Sequence, residues 1–371
     1  VFVGEAEEVW PQVIKDFEEG KLKKVYQGGL PPLSLMKKVY PNRELMKKKY
    51  NYKFSSIVTT KGCPNYCDFC SVPTFQGRKF RERPYEDVLD EMAATDYTGL
   101  MLAEDNFYGH GKKSNERARD LFKGMVERGI HKDWLGFTAL NISQDPETLD
   151  YMAKSGNFGM LVGIESTNET VLKKMNKQVN LKLGTDSYFD CIQKIHNAGL
   201  VVWGSVVFGA DGDDKDSFKR MTDFILENNI DILTFGINCP FPKTQLYARL
   251  DSEKRIFRKN YPEDWQYYDT AHVVHRFVDM TLEDFIEGMQ YIYDHIYAGD
   301  NLRTRFRNSI KTTKNPRNSM FAFRVGSDWK QVFEQVLQNL KELYDSGDYY
   351  NDWYKSSAVT VSKPLMETVT T

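Results

Sequence analysis

Three closely spaced cysteines, Cys63, Cys67 and Cys70, constrain this chain more than any other feature of its sequence. They follow residues 54–60, a run rich in β-branched side chains that predicts a short buried strand. The thiols therefore lie on the loop that leaves the carboxyl end of a strand. In an α/β barrel, this is the place where the chemistry is carried.

The spacing of the three thiols indicates the kind of metal site. Zinc sites usually close a tetrahedron with four ligands arranged in pairs, and here no further cysteine or histidine follows before His110. A four-iron, four-sulfur cluster usually takes four cysteines, so three thiolates leave one iron open to a ligand that is not protein. The alternatives are a zinc knuckle and a plain electron-transfer ferredoxin, and neither explains the barrel pattern that follows.

Downstream of the cysteines, short apolar runs alternate with amphipathic helical patterns. The predicted strands are residues 54–60, 99–103, 134–140, 158–164, 200–208 and 230–237. Several of the intervening helical stripes end at a glycine, as at Gly156 and Gly199. Six βα units predict a parallel sheet with right-handed crossovers.

Composition limits what the chain can be. With 371 residues, 41% of them hydrophobic, it can bury one large core with appendages. A net charge of -2 gives no case for broad capture of nucleic acid or an anionic membrane, so the expected partners are a small molecule or another protein. Cys191 and Cys239 do not make a disulfide framework, and no signal peptide or spanning segment is evident, so we expect a cytoplasmic protein.

The cysteine loop resembles the signature of the radical S-adenosylmethionine (AdoMet) enzymes, Cys-x-x-x-Cys-x-aromatic-Cys, which Cys63, Cys67, Phe69 and Cys70 match. The resemblance implies a 4Fe-4S cluster whose open iron binds AdoMet, reductive cleavage of that cofactor, and hydrogen abstraction from a small-molecule substrate. It also implies an electron donor of the flavodoxin or ferredoxin type. The implied fold class is α/β, a partial (β/α)6 TIM-like barrel with a carboxyl-terminal helical domain.

Polar residues at the strand ends match positions that this family uses for its cofactor. Glu104, Asp105 and Asn106 stand where many members carry Gly-Gly-Glu for the methionine amino group. Glu165 matches the family's ribose position, since a carboxylate can accept both ribose hydroxyls. A helix cap or a salt bridge is the alternative role for Glu165.

The fifth and sixth strands add weaker signals. Gly204, Val207 and Gly209 resemble the small and β-branched residues that lie under the adenine. Cys239 follows the sixth strand, where its thiol is a candidate hydrogen donor to a substrate radical, and the alternative is a packed apolar residue. The turn after Cys239 is close to the Pro-Phe-Pro-Gly-Thr turn of the cobalamin-associated branch, with Lys243 in place of glycine.

Three other motifs favour structural roles. The acidic run 211–214 predicts a helix start rather than a calcium loop. The basic run 78–83 is a single short stretch on a slightly acidic chain, which favours a solvated loop over a nucleic-acid site. The histidines are scattered, His196 is predicted to be packed, and no catalytic histidine is assigned.

The remaining chain divides into four expected parts. Residues 1–50 resemble the end of an upstream cobalamin-binding domain and its linker, 51–252 form the barrel, 253–354 form a helical domain, and 355–371 form a disordered tail. Helices are predicted to begin at Thr281, with Asp284 in a capping box, and at Ser327, and we expect them to cover the barrel mouth.

The carboxyl-terminal pattern and the opening residues resemble hopanoid methylases, which are cobalamin-linked radical enzymes. The strand-like residues 1–3 and the apolar stripe 9–17 need a neighbouring sheet, so we expect the full protein to extend upstream into a cobalamin domain. The chain itself lacks the Asp-x-His-x-x-Gly cobalt-binding motif. The expected activity is hydrogen abstraction from an apolar molecule, either with or without methylation; the alternatives are methylthio transfer and a non-catalytic iron-sulfur or zinc protein.

Overall fold

The computed structural model describes residues 1–36, 38, 40–50 and 52–350. The strands are β1 (Phe2–Val3), β2 (Tyr26–Gln27), β3 (Phe54–Ile57), β4 (Thr60–Lys61), β5 (Arg81–Glu82), β6 (Gly99–Leu102), β7 (Asp133–Thr138), β8 (Asn157–Glu165), β9 (Val201–Phe208) and β10 (Ile232–Ile237). The helices are α1 (Trp10–Glu18), α2 (Arg43–Tyr50), α3 (Val72–Phe75), α4 (Tyr85–Ala94), α5 (Lys112–Glu127), α6 (Pro146–Lys154), α7 (Glu169–Lys174), α8 (Gln178–Leu183), α9 (Tyr188–Asn197), α10 (Ser217–Glu227), α11 (Gln245–Ser252), α12 (Leu282–Ile296), α13 (Asn301–Thr313) and α14 (Pro316–Ser346). The predicted tail, 355–371, lies outside the described residues.

A six-stranded parallel sheet forms the centre of the molecule. Its order is β3-β6-β7-β8-β9-β10, so each strand pairs with the next strand of the sheet along the chain. A sheet that never reverses its order winds in one direction, as a barrel does, and here the two edge strands β3 and β10 are not paired with each other. The predicted partial barrel of six βα units is confirmed.

The two faces of this sheet have different surroundings. Along β9, Val202, Val206 and Phe208 belong to the main apolar core with the helices, and Phe208 stacks on Phe218 of α10 at a centroid distance of 4.9 Å. Side chains alternate along a strand, so the residues between them, such as Ser205, turn to the opposite side. We call that opposite side the inner face; it is the concave side of the partial barrel.

The carboxyl-terminal helices differ from the prediction at one boundary. Thr281 caps α12 with Asp284 in a full capping box, as predicted. The next predicted start, Ser327, is wrong because it lies inside α14, which begins ten residues or so earlier. The Asn315 side chain accepts a hydrogen bond from the Asn318 amide there, and Pro316 occupies a first-turn position.

These helices do not cover the barrel mouth, contrary to our expectation. Helix α12 packs on α10, with Phe285 and Phe218 5.4 Å apart between ring centroids. The amino-terminal part of α14 lies at the amino ends of the strands, where the Asn318 side chain donates a hydrogen bond of 2.8 Å to the Gly199 carbonyl, and the helix then packs along β10. The apolar stripes are buried against the outer helices, β10 and the amino end of the sheet.

The amino-terminal segment is attached to the barrel by charge. Glu5 binds Arg81 of β5 through both carboxylate oxygens, at 2.6 and 2.8 Å. We expected strand β1 to need a partner from outside the chain, but it pairs in parallel with β2. Helix α1, in contrast, leaves Trp10, Ile14 and Phe17 exposed.

Candidate active site at the strand carboxyl ends

A short antiparallel ladder fixes the loop that carries the three cysteines. Strands β4 and β5 pair on either side of residues 62–80, which we call the cysteine loop. Gly62 has a φ of +83°, and a side chain there would collide with the Lys79 carbonyl. The loop also docks on the barrel, because the Asp68 amide donates to the Met175 carbonyl at 3.0 Å. Glycine is thus required where the loop leaves the ladder.

The three thiols lie together in a partly desolvated place. Cys63 is buried and Cys67 and Cys70 are half-buried. Burial raises the pKa of each thiol, and the thiols raise one another's pKa by charge repulsion. Main-chain hydrogen bonds to Cys63 and Cys70 lower the pKa of those two thiols, and the Lys177 ammonium lowers the pKa of all three. This is a set of three soft ligands beside one fixed cation, which suits a cluster of net negative charge.

The arrangement differs from a site for one metal ion. Within the described residues, no group of three or more His, Cys, Asp or Glu side chains could hold a single ion. A cubane cluster sets a different requirement, since each of its thiolates binds a different iron. The donor set of Cys63, Cys67 and Cys70 fits such a cluster, whereas Cys191 and Cys239 are packed in apolar groups.

The acidic residues after β6 point in two directions. Asp105 is exposed and its charge acts on Cys63 and Cys70, so it lies on the side of the thiols. Glu104 is buried, accepts a 3.0 Å hydrogen bond from the Thr59 amide, and is close enough to Arg117 to be stabilised by its charge. Burial raises the pKa of Glu104 to about 7. Asn106 is buried, and its side-chain oxygen accepts from the Tyr108 amide.

A buried ion pair closes the end of β8. The Lys177 ammonium lies 2.5 Å from Oε1 of Glu165. Burial opposes the charge of Lys177, but Glu165 and the cysteine thiols raise its pKa above the ordinary lysine value. A side chain at Gly163 would meet both partners, at 2.5 Å from Glu165 and 2.8 Å from Lys177. Glu165 itself has a φ of +59°, a conformation that costs free energy and is enriched at functional sites.

The apolar and small residues predicted to contact the cofactor separate into two groups. Phe69 and Val207 pack in the same apolar group as Val171 and Met175, between the cysteine loop and the end of β9. Gly204 lies on the helix-facing side of β9, where a side chain would meet Ile164 at 2.9 Å. Its small size serves packing there, which differs from the predicted role.

Gly209 and Cys239 also lie in close contact with neighbouring apolar side chains. Gly209 has a φ of +82°, and a side chain there would lie 2.6 Å from the Phe277 ring. Cys239 is buried with Leu246, Leu250 and Tyr268, and burial raises the pKa of its thiol to about 12. Phe69 packs against that same apolar group, so Cys239 lies near the cysteine loop.

Two features of the site were missed or left open by the sequence. Lys177 was not predicted, because it lies in the short connection between α7 and α8 and has no local pattern around it. The one feature of the sequence that could have indicated Lys177 is its positive charge, since it is the first cation after the Lys-Lys pair that ends α7. Lys243 adopts a φ of +64°, so the turn after Cys239 keeps the left-handed conformation that glycine favours.

The inner face of the sheet is apolar along β6, β7 and β8, whereas β9 adds the hydroxyl group of Ser205. The half-exposed apolar side chains on those three strands are Met101, Leu135, Phe137 and Leu161, none of which belongs to a buried apolar group of the described residues. At its amino end the inner face is closed by Trp203, which lies 6.5 Å from Trp329 of α14 between ring centroids. An alternation of apolar and polar residues along the strands would have indicated this face, but strands that are apolar on both sides do not show it.

Comparison with known proteins agrees with this geometry. The family model described as the radical SAM superfamily matches residues 57–225. The chain is 31% identical over 317 residues to the bacteriochlorophyllide d C-12(1)-methyltransferase of Chlorobaculum tepidum, covering 83% of this chain and 66% of that protein. It is 28% identical over 209 residues to the hopanoid C-2 methylase of Rhodopseudomonas palustris, covering 55% of this chain and 39% of that protein.

A solved structure shares the fold. The cobalamin-dependent AdoMet radical enzyme OxsB, with aqua-cobalamin bound, matches with a TM-score of 0.62 and 15% identity, covering 92% of this chain and 56% of that chain. The chain therefore spans only part of each of these proteins. Within the described part of the chain, no helix has both the length and the apolarity to span a bilayer.

Proposed function

The chain belongs to the radical S-adenosylmethionine superfamily, and on that premise we propose that it removes a hydrogen atom from an unactivated carbon of a small apolar molecule and methylates that carbon. The observation that carries the proposal is the group of thiols and charged side chains at the carboxyl end of the sheet. There, the thiols of one loop lie beside the Asp105 carboxylate and the Glu165–Lys177 ion pair, above an apolar inner face.

The chain's own residues would hold the two cofactors. Cys63, Cys67 and Cys70 would hold a 4Fe-4S cluster, and Lys177 would offset part of its negative charge. Asp105 would accept the cofactor's amino group and Glu165 its ribose, since both carboxylates lie at strand ends next to the thiols. When bound, the cluster and AdoMet together supply the one-electron chemistry, while the protein positions and shields the reacting atoms.

The adenine would lie against the apolar group that contains Phe69 and Val207. Both side chains are half-exposed, and each contributes an apolar surface beside the cysteine loop. Of the Glu104, Asp105 and Asn106 trio, the geometry favours Asp105 for cofactor contact. Glu104 and Asn106 face protein groups and would support the loop rather than touch the cofactor.

The inner face supports an apolar substrate. Half-exposed Met101, Phe137 and Leu161 present apolar surface towards the open side of the sheet. A solvated apolar wall is costly unless a ligand covers it, and ligand pockets in proteins are lined mainly by such side chains. The substrate would enter from the strand carboxyl ends, because α14 closes the other end.

Methylation is supported by what the relatives are. The C. tepidum and R. palustris relatives are a methyltransferase and a methylase, and the OxsB structure contains aqua-cobalamin. We propose cobalamin as the methyl carrier of the whole protein, held by a unit that docks on the exposed side chains Trp10, Ile14 and Phe17 of α1. The electron donor would be a flavodoxin or ferredoxin, and the unpaired cysteines suit the cytoplasm.

Anaerobic reconstitution tests the proposal. Purified protein is given iron and sulfide, and we expect a 4Fe-4S cluster whose electron paramagnetic resonance spectrum changes when AdoMet is added, followed by 5'-deoxyadenosine formation under a reductant. A methyl group on the product would establish the methylation. A cluster whose spectrum does not change with AdoMet would indicate an electron carrier instead. A stoichiometric zinc ion in place of iron would indicate a zinc scaffold.

A further inference from the structure

A second cavity lies at the end of the barrel opposite to the cysteine loop. It measures about 260 Å³, is partly open to solvent, and is bordered by α10, α12, α13 and the loop that leads into β10. Its polar lining consists of Asn229, His295, Asn301, Thr304, Arg305 and Asn308. A space of this size holds a small organic ligand, rather than a single buried water.

The contribution of α13 to this cavity has helical periodicity. Asn301, Thr304, Arg305 and Asn308 follow one another at i, i+3, i+4 and i+7, so they form one stripe along the helix. A helix normally turns an apolar stripe towards the protein. Of this stripe, Thr304 is exposed and Asn301 and Asn308 are half-buried, whereas Arg305 is buried and needs a polar partner that solvent does not supply.

Several of these side chains have no protein partner. In the described part of the chain, the side chains of Asn229, Thr304 and Asn308 make no hydrogen bond. The ring of His295 uses Nδ1 to donate to the Tyr291 carbonyl, at 2.8 Å, which leaves Nε2 available. The cavity thus offers amide, hydroxyl and imidazole groups that the fold does not use.

The one permanent charge at the cavity is poorly compensated. Arg305 is 9% exposed and donates only to two main-chain carbonyls, those of Ile230 at 2.5 Å and Asp231 at 3.2 Å, while its Nε has no acceptor. No carboxylate within the described residues forms an ion pair with it. The Asp231 carboxylate accepts from the Val202 amide and contacts His196 through the same oxygen, so its charge acts on Arg305 without a hydrogen bond between them. A buried guanidinium without an anion is costly.

We propose that this cavity binds a small anion, a molecule with a carboxylate or phosphate group whose oxygens are held by Arg305 together with Asn229, Thr304 and Asn308. Arginine forms paired hydrogen bonds with both kinds of group, and amide and hydroxyl donors complete the coordination. The bound anion joins α13 to the loop before β10. It therefore stabilises the amino end of the barrel, at a distance from the thiols.

Binding is measured on the cluster-reconstituted protein with inorganic phosphate and with acetate, using chloride at equal ionic strength as the reference. We expect saturable heat on titration calorimetry and a higher melting temperature with at least one of the two anions. Asn308→Leu removes a donor and fills space, and we expect it to weaken binding about tenfold. The matched control is Arg307→Met, which removes an exposed cation of the same helix and should leave the affinity unchanged.

The response to each anion identifies the ligand class: phosphate alone indicates a phosphorylated molecule and acetate alone a carboxylate, and either supports the proposal. If neither anion binds saturably, the proposal is wrong. It is also wrong if Arg307→Met lowers the anion affinity as much as Asn308→Leu does. Arg305→Lys keeps the charge but loses the paired donors, so it decides the matter if Asn308→Leu does not fold. AdoMet and substrate are not needed, so the outcome is independent of the proposed catalytic function.

Discussion

The Lys177 ammonium lies 2.5 Å from Oε1 of Glu165, and both side chains are nearly buried, with 12% and 7% of their surface exposed. The same ammonium lies 5.9 Å from the centre of the Phe69 ring. This one cation therefore connects the strand-end carboxylate with the aromatic residue of the cysteine loop. It fixes the side of the site on which negative charge can accumulate.

Removing Lys177 should damage both stability and cofactor binding. Lys177→Met leaves the buried Glu165 without a partner, which typically costs about 3–5 kcal/mol of unfolding free energy. Urea unfolding measures that loss, and the double variant with Glu165→Gln should recover most of it, because the unpaired charge is then gone. An equal loss in the single and the double variant would contradict the ion-pair argument.

Each of the three cysteines of the loop should be indispensable for the cluster. We expect Cys63→Ala, Cys67→Ala and Cys70→Ala to bind less iron and to lose AdoMet cleavage, with a native circular dichroism spectrum, because the thiols do not belong to the main core. Cys191→Ala is the control, since Cys191 is buried on α9 away from the loop. Retained 5'-deoxyadenosine formation in all three loop variants would refute the assignment.

Substitution of the two carboxylates after β6 should have different effects on AdoMet affinity. Asp105 faces the thiols, so Asp105→Asn should weaken AdoMet binding about tenfold, as expected for the loss of a charged hydrogen-bond acceptor. Glu104 faces the Thr59 amide and Arg117, so Glu104→Gln should leave AdoMet affinity close to the wild-type value. Equilibrium binding to the reconstituted protein measures both. The opposite ranking would assign the contact to Glu104.

The strand pattern was predictable because local signals carried it. Each inner strand is a short apolar run, and glycines such as Gly156 and Gly199 end the helices before them, so the six strands were predicted within a few residues of their observed positions. The cysteine trio was equally clear, because its spacing excludes the common alternatives. Both signals lie within a few neighbouring residues.

Long-range packing could not be predicted in the same way. The side of the barrel that α14 covers depends on contacts such as that between Asn318 and Gly199, which are far apart in sequence. The first third of α14 was missed because Gly326 interrupts the helical pattern just before Ser327, although Phe321, Ala322 and Val325 carry an apolar stripe there. The partner of Glu165 was missed because only the fold brings the Lys177 side chain to it.

Cys239 remains a hypothesis for hydrogen donation, and its surroundings favour a packing role. The thiol is enclosed by Leu246, Leu250 and Tyr268. We therefore expect Cys239→Ala to leave turnover and product unchanged while lowering the unfolding free energy by about 1 kcal/mol, the effect of a small cavity. Product analysis decides: AdoMet cleavage that continues while the product is lost would establish the donor role.

His275 should make the fold sensitive to acid. It is 1% exposed, and burial followed by the nearby Arg255 lowers its pKa to about 3. An imidazole in the unfolded chain has a pKa of about 6.5. Below that pH the unfolded state takes up a proton that the folded state does not, so the stability that neutral His275 contributes is complete above pH 6.5 and is lost as the pH falls towards 3.

The loss attributable to His275 should reach about 2 kcal/mol at pH 5, since each pH unit below 6.5 is worth about 1.4 kcal/mol. Urea unfolding at pH 7 and pH 5 measures it as the difference between the wild type and His275→Met, which removes the titrating group but keeps a side chain of similar size. This difference is required because other buried groups, such as Asp213 with its pKa raised to about 7 by burial, change stability in the opposite direction. If His275→Met and the wild type lose equal stability between the two pH values, then His275 is protonated in the folded protein and its assignment as a neutral buried group is wrong.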